Sequence, residues 1–390
     1  MNLELLQRLD GVCLVGHPFA QMGMGEHIRC VGRSFQAIGA RPKLFDIYRL
    51  NPRSDVTIAQ ELDGHLTDHL SDTLNVFHLN ADEVEQALAT LGPLPGSALN
   101  VIYPAWELPR YPSVSARLLE RFDEIWAPSH FIHQSIAPAV SKPVIHMPLA
   151  CELELKHFYG RRYFGIPESA FTFLYFFDFT SFVKRKNPFA VLDAFEAASK
   201  LRPNADMALV LKLNRGSLAK SDYATFLAEL KTRRVRVVTI DETLGDEEMK
   251  NLVHNCDAFV SLHRSEGFGR GMSEAMFLGK PVIATGWSGN LDFMNPDVSC
   301  LVDYRLIPVK EGEYPHWENQ VWADPNIQHA AAWMVRIVDE PKLADDIGVA
   351  ASRHIRVHFS YRARGLAYAS RIVELLDTPQ PVNALLGCGG

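Results

Sequence analysis

Residues 256 to 293, CDAFVSLHRSEGFGRGMSEAMFLGKPVIATGWSGNLDF, constrain the fold more than any other stretch of the chain. A short apolar run from Ala258 to Leu262 is followed by three glycines, Gly267, Gly269 and Gly271, and by a helix-forming segment from Met272 to Leu278. A second apolar run, Pro281 to Ala284, leads into another loop at Ser288, Gly289 and Asn290. Apolar runs this short, bounded by glycine and alternating with helices, predict parallel strands covered on both faces. Loops at the carboxyl ends of such strands open the crevice in which α/β proteins bind ligands. Glu266 lies on the first loop and Glu274 inside the helix after it. A carboxylate inside that helix is costly without polar partners, and hydroxyls of a sugar or ribose would serve. The amides of Gly267, Phe268 and Gly269 would face an anion, because a helix N-terminus offers unpaired donors and the positive end of the dipole.

The chain has 390 residues, more than one hydrophobic core usually serves, so two domains are expected. A net charge of −7 argues against nucleic acid as a partner. No apolar run approaches the ~20 residues of a spanning helix, and MNLELLQRLDG lacks the pattern of a signal peptide. The six cysteines are scattered without CxxC spacing, which suits a reduced, cytoplasmic setting.

In the first half, GVCLVG (Gly11 to Gly16) reads as a buried strand running into a loop with Gly23 and Gly25, then a helix from His27 to Ile38. A dinucleotide fingerprint is excluded, because Ile28 occupies the position that needs a third small residue. A strand from Leu74 to Leu79 ends at His78, Leu79 and Asn80, and another, Ala98 to Tyr103, ends before Trp106 and Glu107. An aromatic beside a carboxylate between two prolines fits a sugar-binding rim and equally a plug of the domain interface. His65, Asp68 and His69 are of metal-ligating types but fall in a polar, solvated stretch. In the second half a strand, Thr172 to Phe177, precedes the cationic turn Lys184-Arg185-Lys186 and a helix, Phe189 to Lys200. A further strand, Ala208 to Leu213, carries Lys212 at its end, and Lys310 to Asp324 reads as an irregular loop.

The run S-E-G-F-G-R-G-x-S-E-A-M-x-x-G-K-P-V-I-A-T, residues 265 to 285, resembles the nucleotide-sugar motif of retaining GT-B glycosyltransferases, family 4. The resemblance implies two doubly wound Rossmann-like α/β domains facing across a cleft. Residues 1–168 would form the acceptor side, with a helix over 359–378 packing back on it. Residues 169–358 would bind the nucleotide sugar, and 379–390 would form a disordered tail. It implies that Glu266 binds the donor sugar and Glu274 the ribose. Gly267, Phe268, Gly269, Ser288, Gly289, Asn290 and Lys212 would join the nucleotide site, and Gly23 and Gly25 would approach the donor diphosphate. Relatives carry an Arg and a Lys that hold the diphosphate. Lys186 matches the Lys, whereas Ser181 stands in place of the Arg, leaving Arg185 as its substitute. Asn80 stands where many relatives have a histidine, and an amide cannot take a proton at neutral pH. His78 is the nearby histidine that could take its place in the catalytic set, although a packed core histidine is the favoured reading of that residue, and Trp106 and Glu107 would meet the acceptor.

The implied reaction is retaining transfer from a nucleotide-diphosphate sugar, GDP-mannose ahead of a UDP-sugar, to a glycan or lipid-linked oligosaccharide of bacterial surface-polysaccharide assembly. The leaving diphosphate would assist same-face attack. No metal or other cofactor is expected, and membrane contact would be weak and peripheral, at the cytoplasmic face. A nucleotide-sugar 2-epimerase and a non-catalytic carbohydrate-binding protein are the alternatives.

Overall fold

A computed structural model describes residues 9–20, 23–49, 56–214 and 220–377. The proposed tail 379–390 lies outside them, as does the polar segment 50–55.

The first lobe is built on seven strands: β1 (Val12–Gly16), β2 (Lys43–Asp46), β3 (Leu66–Thr67), β4 (Leu74–Phe77), β5 (Leu99–Ile102), β6 (Glu124–Ala127) and β7 (Val144–His146). They pair in the order β3-β2-β1-β4-β5-β6-β7, every neighbour parallel. β1, β4, β5 and β6 are buried along their whole length, which is why their sequences are nearly continuous apolar runs. The register sets Val15 beside Phe77 and Phe77 beside Ile102.

The second lobe repeats the plan with β8 (Phe171–Asp178), β9 (Met207–Asn214), β10 (Val237–Ile240), β11 (Ala258–Ser261), β12 (Val282–Thr285) and β13 (Cys300–Val302). Their order is β10-β9-β8-β11-β12-β13, again parallel throughout. Chain order reverses between β1 and β4 in one sheet and between β8 and β11 in the other. Such switch points leave a crevice at the carboxyl ends of the strands. The loops that leave those four strands carry most of the expected site.

Three boundaries differ from the sequence reading. The first helix spans Gly23–Gln36, so Gly23 and Gly25 lie in its first turn and not in a loop before it. The helix after the glycine loop starts two residues early, at Arg270–Phe277. Lys310 to Asp324 is not irregular throughout: β14 (Tyr304–Pro308) and β15 (Val321–Pro325) form an antiparallel hairpin. Its Trp322 is buried with Leu108 of the first lobe, a tertiary partner that no local pattern announces.

The helix Tyr361–Asp377 crosses back onto the first lobe. Tyr368 lies 5.9 Å from Phe35 and stacks on Trp126 at 5.7 Å. Arg371 Nε donates to the buried Glu124 carboxylate at 3.0 Å.

Candidate active site

The cationic turn after β8 has a strained backbone that two tethers hold in place. It forms the short helix Val183–Lys186, bracketed by positive-φ residues Phe182 (φ 61°) and Asn187 (φ 54°). For a phenylalanine that conformation costs ~1–3 kcal/mol and persists only where the surroundings fix it. Asn187 Nδ2 donates to Leu262 O at 2.9 Å, and Tyr175 OH donates to Lys186 O at 2.5 Å. Lys184 is exposed, whereas Arg185 and Lys186 turn inward.

Both inward cations meet Glu266. Lys186 Nζ lies 2.5 Å from Glu266 Oε1 and Arg185 Nη1 lies 3.3 Å from Oε2. Burial alone would raise the Glu266 carboxyl, but the Lys186 and Arg185 charges outweigh it and hold the group at about 2. Burial, with Arg185 adding, pulls the Lys186 ammonium down against the attraction of Glu266. At 2.5 Å the charged pair is the form the geometry supports. Arg185 also donates to Ser265 O at 3.0 Å and lies 3.8 Å from Glu107 Oε1, a first-lobe carboxylate.

The loop bearing Glu266 is braced from behind by the next one. Ser288 Oγ accepts from Glu266 N at 2.9 Å, and Gly289 N donates to Glu266 O at 2.9 Å. A Cβ on Gly289 would stand 1.9 Å from Gly267 O, so only glycine fits. Asn290 spends its amide on Thr285 O at 3.1 Å and on the buried His263 ring at 3.1 Å. Phe268 is buried and packs on Phe293 at 5.1 Å, so its side chain is taken up by the core. Among the described residues, no hydrogen bond to protein takes the amides of Gly267, Phe268 or Gly269. Those donors stand at the N-terminus of the helix Arg270–Phe277, where an anion is favoured.

Glu274 meets a different environment on the same helix. Arg270 Nη1 lies 3.9 Å from it and 3.7 Å from Glu26 of the first lobe. Burial is the main influence, and with repulsion from Glu26 it outweighs Arg270 and lifts the Glu274 carboxyl to about 7. Glu26 itself is held low, because Arg33, Arg270 and Arg29 outweigh its burial.

The remaining expected residues divide. Glu107 accepts from the Tyr314 hydroxyl of the second lobe, and its carbonyl accepts from Ser265 Oγ. Trp106 lies 5.9 Å from Tyr314 and 6.3 Å from His316, so it sits where the lobes meet. Lys212 is buried at the end of β9, its Nζ donating to Leu213 O at 3.0 Å, and burial lowers its affinity for a proton. Asn80 Oδ1 accepts from Ala105 N at 3.0 Å and so ties the loop after β4 to the loop after β5. His78 does not join the cleft: it is fully buried, 3.3 Å from His27 Nδ1, and burial drives its pKa to about 3. That environment makes it a neutral core histidine, correcting its place in the catalytic set. Gly25 is packed on the protein itself, since a Cβ there would lie 2.0 Å from Ala20 O, while nothing stands within 4 Å of one on Gly23. His65 and Asp68 are engaged by Pro42 O and Arg49, not by each other.

Glu26, Arg270 and Tyr314 were not singled out in the sequence. Arg270 sits inside the glycine motif and Glu26 directly follows Gly25, so both positions were in view. Tyr314 is signalled only by the aromatic content of its segment.

Residues 166–305 match the family model described as glycosyl transferases group 1. Among solved structures, the chain is similar to HepE of Anabaena in complex with UDP and glucose, at 14% identity and TM-score 0.66. That match covers 93% of this chain and 99% of that one. A sucrose-phosphate synthase of Thermosynechococcus elongatus aligns at 16% identity and TM-score 0.64, over 93% and 98% of the two chains. TarM of S. aureus, in complex with fondaparinux, alpha-GlcNAc-glycerol and UDP, aligns at 12% identity and TM-score 0.56, over 79% of this chain and 56% of that one. At these identities the likeness is one of fold, and the chain has the GT-B architecture. The matched domain and that fold together support a glycosyltransferase.

Proposed function

We propose that the protein is a retaining glycosyltransferase of family 4 that moves a sugar from a nucleoside-diphosphate sugar to a hydroxyl of a glycan or lipid-linked glycan. The observation that carries this reading is Glu266 paired with Lys186 and Arg185 beside free loop amides, where the two switch points face each other. Before donor binds, Glu266 neutralises the two cations. The donor diphosphate takes over Lys186, Arg185 and the amides of Gly267 to Gly269, releasing Glu266 to the hydroxyls of the sugar. Glu274 accepts from the ribose hydroxyls. The acceptor hydroxyl attacks C1 on the face that the diphosphate leaves. The new C1–O bond forms as the C1–O bond to the diphosphate breaks, and the acceptor proton passes to a departing phosphate oxygen. Charge developing on the leaving group meets fixed cations and dipoles in a water-poor cleft, the usual source of most of the rate. The protein's own cations serve this step without a metal. Glu107 and Trp106 line the first-lobe side, where the acceptor enters.

The UDP held by HepE and by TarM supports a UDP-sugar ahead of GDP-mannose. The absence of a helix long and apolar enough to cross a membrane, among the described residues, fits work at the cytoplasmic face on a growing surface polysaccharide. Ranking UDP, GDP and ADP by thermal shift tests the donor. A ligand at ~100 times its Kd adds ~2.7 kcal/mol to stability. One diphosphate should stand well above the others; no shift from any would contradict the assignment.

A further inference from the structure

Two imidazoles of the first lobe and one carboxylate of the second converge at the seam. His130 opens the helix His130–Ile136, His146 ends β7, and Asp292 closes the turn Gly289–Asp292 whose other end braces Glu266. Asp292 is 4% exposed, against 25% for His146 and 66% for His130. His146 Nε2 lies 2.5 Å and His130 Nδ1 3.3 Å from the same oxygen, Asp292 Oδ2. The two rings are tilted face to face with centroids 3.6 Å apart. The His130 amide donates to both carboxylate oxygens, at 3.0 and 3.2 Å, and so orients the carboxylate.

We infer that His130, His146 and Asp292 bind one divalent transition-metal ion of the zinc class, which ties the two lobes together at this seam. All three ligand atoms lie within 4.8 Å of one another, and this is the one such group among the described residues. In a tetrahedral site with ~2.0–2.1 Å bonds, neighbouring ligand atoms stand ~3.3 Å apart. The His130–Asp292 separation already has that value, whereas His146 must draw back by about 0.8 Å and the two rings, with centroids 3.6 Å apart, must open by roughly 1–2 Å so that both nitrogens face one ion. Two imidazoles and a carboxylate suit zinc and its neighbours, whereas magnesium and calcium prefer all-oxygen shells. The exposed edge of His130 leaves a fourth position for water. Beside the site, Ser129 Oγ donates across the seam to Gly267 O at 2.6 Å. An ion here therefore holds the glycine loop against the first lobe and takes no part in the chemistry at the diphosphate.

The test uses untagged full-length protein, stripped with EDTA, desalted and kept free of nucleotide. Cobalt(II) is titrated while its visible absorption is followed, and zinc binding is measured by equilibrium dialysis. One cobalt per chain with a tetrahedral spectrum, displaced by zinc, is expected. Affinity should fall at least ~10-fold in His130→Ala and in Asp292→Asn, since even outer partners of a metal site are worth that much. His130 is mostly exposed, so its variant keeps the fold. Zinc should raise the melting temperature of the wild type and leave that of His130→Ala unchanged. Absence of the cobalt band, or equal zinc binding by wild type and both variants, would overturn the site. Because no nucleotide is present, either result leaves the glycosyltransferase reading untouched.

Discussion

Glu266 and Glu274 stand eight residues apart on one loop and helix, yet their surroundings push their protonation in opposite directions. Glu266 is held at about 2, so its stabilising contribution is present above the ordinary carboxylate range and is lost as pH falls toward 2. Glu266→Gln takes the carboxylate away from Lys186 and leaves Arg185 with only the more distant Glu107, 3.8 Å away, and breaking a buried pair costs ~3–5 kcal/mol. The variant should melt lower than wild type, and a nucleoside diphosphate should restore more of its melting temperature than it adds to the wild type. Equal diphosphate shifts in both would mean that the cations do not receive the diphosphate. Glu274 shows the reverse sign. Its carboxyl is lifted to about 7, so it favours the folded state at low pH and loses that contribution as pH rises through 7. Accepting two ribose hydroxyls requires the ionised form, so nucleotide affinity should weaken as pH drops below 7. Glu274→Gln should abolish that dependence and make the nucleotide-free protein more stable at pH 8. Calorimetric titrations across pH 5.5 to 8.5 check both. His27 and His78 add an acid limit of their own: burial depresses both, so the stability they carry is lost as pH falls below their ordinary range.

At the level of elements, the site depends on one loop being braced by another. Gly289→Ala sets a methyl 1.9 Å from Gly267 O and must push the Glu266 loop out of place. A loss of ~2 kcal/mol or more, together with activity, is expected in denaturant titration and assay. Gly23→Ala is the control, since its Cβ meets nothing and alanine favours the helix. It should fold at least as well as wild type, and full activity would show that Gly23 makes no close approach to donor. The longer strands of both lobes and the glycine loop of the second were legible in the sequence because apolar runs and their punctuation are local signals, whereas the two-residue edge strand Leu66–Thr67 and the helical setting of Gly23 and Gly25 were not. Glu266, Arg185 and Lys186 stood out on loops leaving readable strands and Glu274 on the helix after one, while the roles proposed for them rest on the family resemblance. The hairpin 304–325 was not, because Trp322 and Tyr314 bury against Leu108 and Glu107 more than two hundred residues away. His78 kept two readings for the same reason: a histidine at a strand end looks the same whether it faces a cleft or, as the structure has it, packs on His27 and Tyr103. The cluster of His130, His146 and Asp292 draws on three segments and has no spacing to read.

Across the whole molecule, the lobes meet through Glu107 with Tyr314 and Arg185, Glu26 with Arg270, and Ser129 with Gly267. Closing such a cleft excludes water from the donor and limits its hydrolysis. Trp106→Ala, read together with its melting temperature, should impair transfer while leaving nucleotide affinity nearly unchanged. A folded variant that loses nucleotide binding but transfers normally once saturated would contradict that placement. In His130→Ala, whose seam holds no ion, EDTA should leave the transfer rate unchanged. Full loss restored by manganese or magnesium would mean that a metal, and not Arg185 and Lys186, neutralises the diphosphate. The most direct measurement is nucleoside diphosphate release from a panel of UDP-, GDP- and ADP-sugars, comparing wild type with Glu266→Gln. At least one donor should be turned over by the wild type with retained anomeric configuration, and the variant should be ~100-fold slower or worse. Epimerised sugar, no release from any donor, or equal rates in the two proteins would contradict the account.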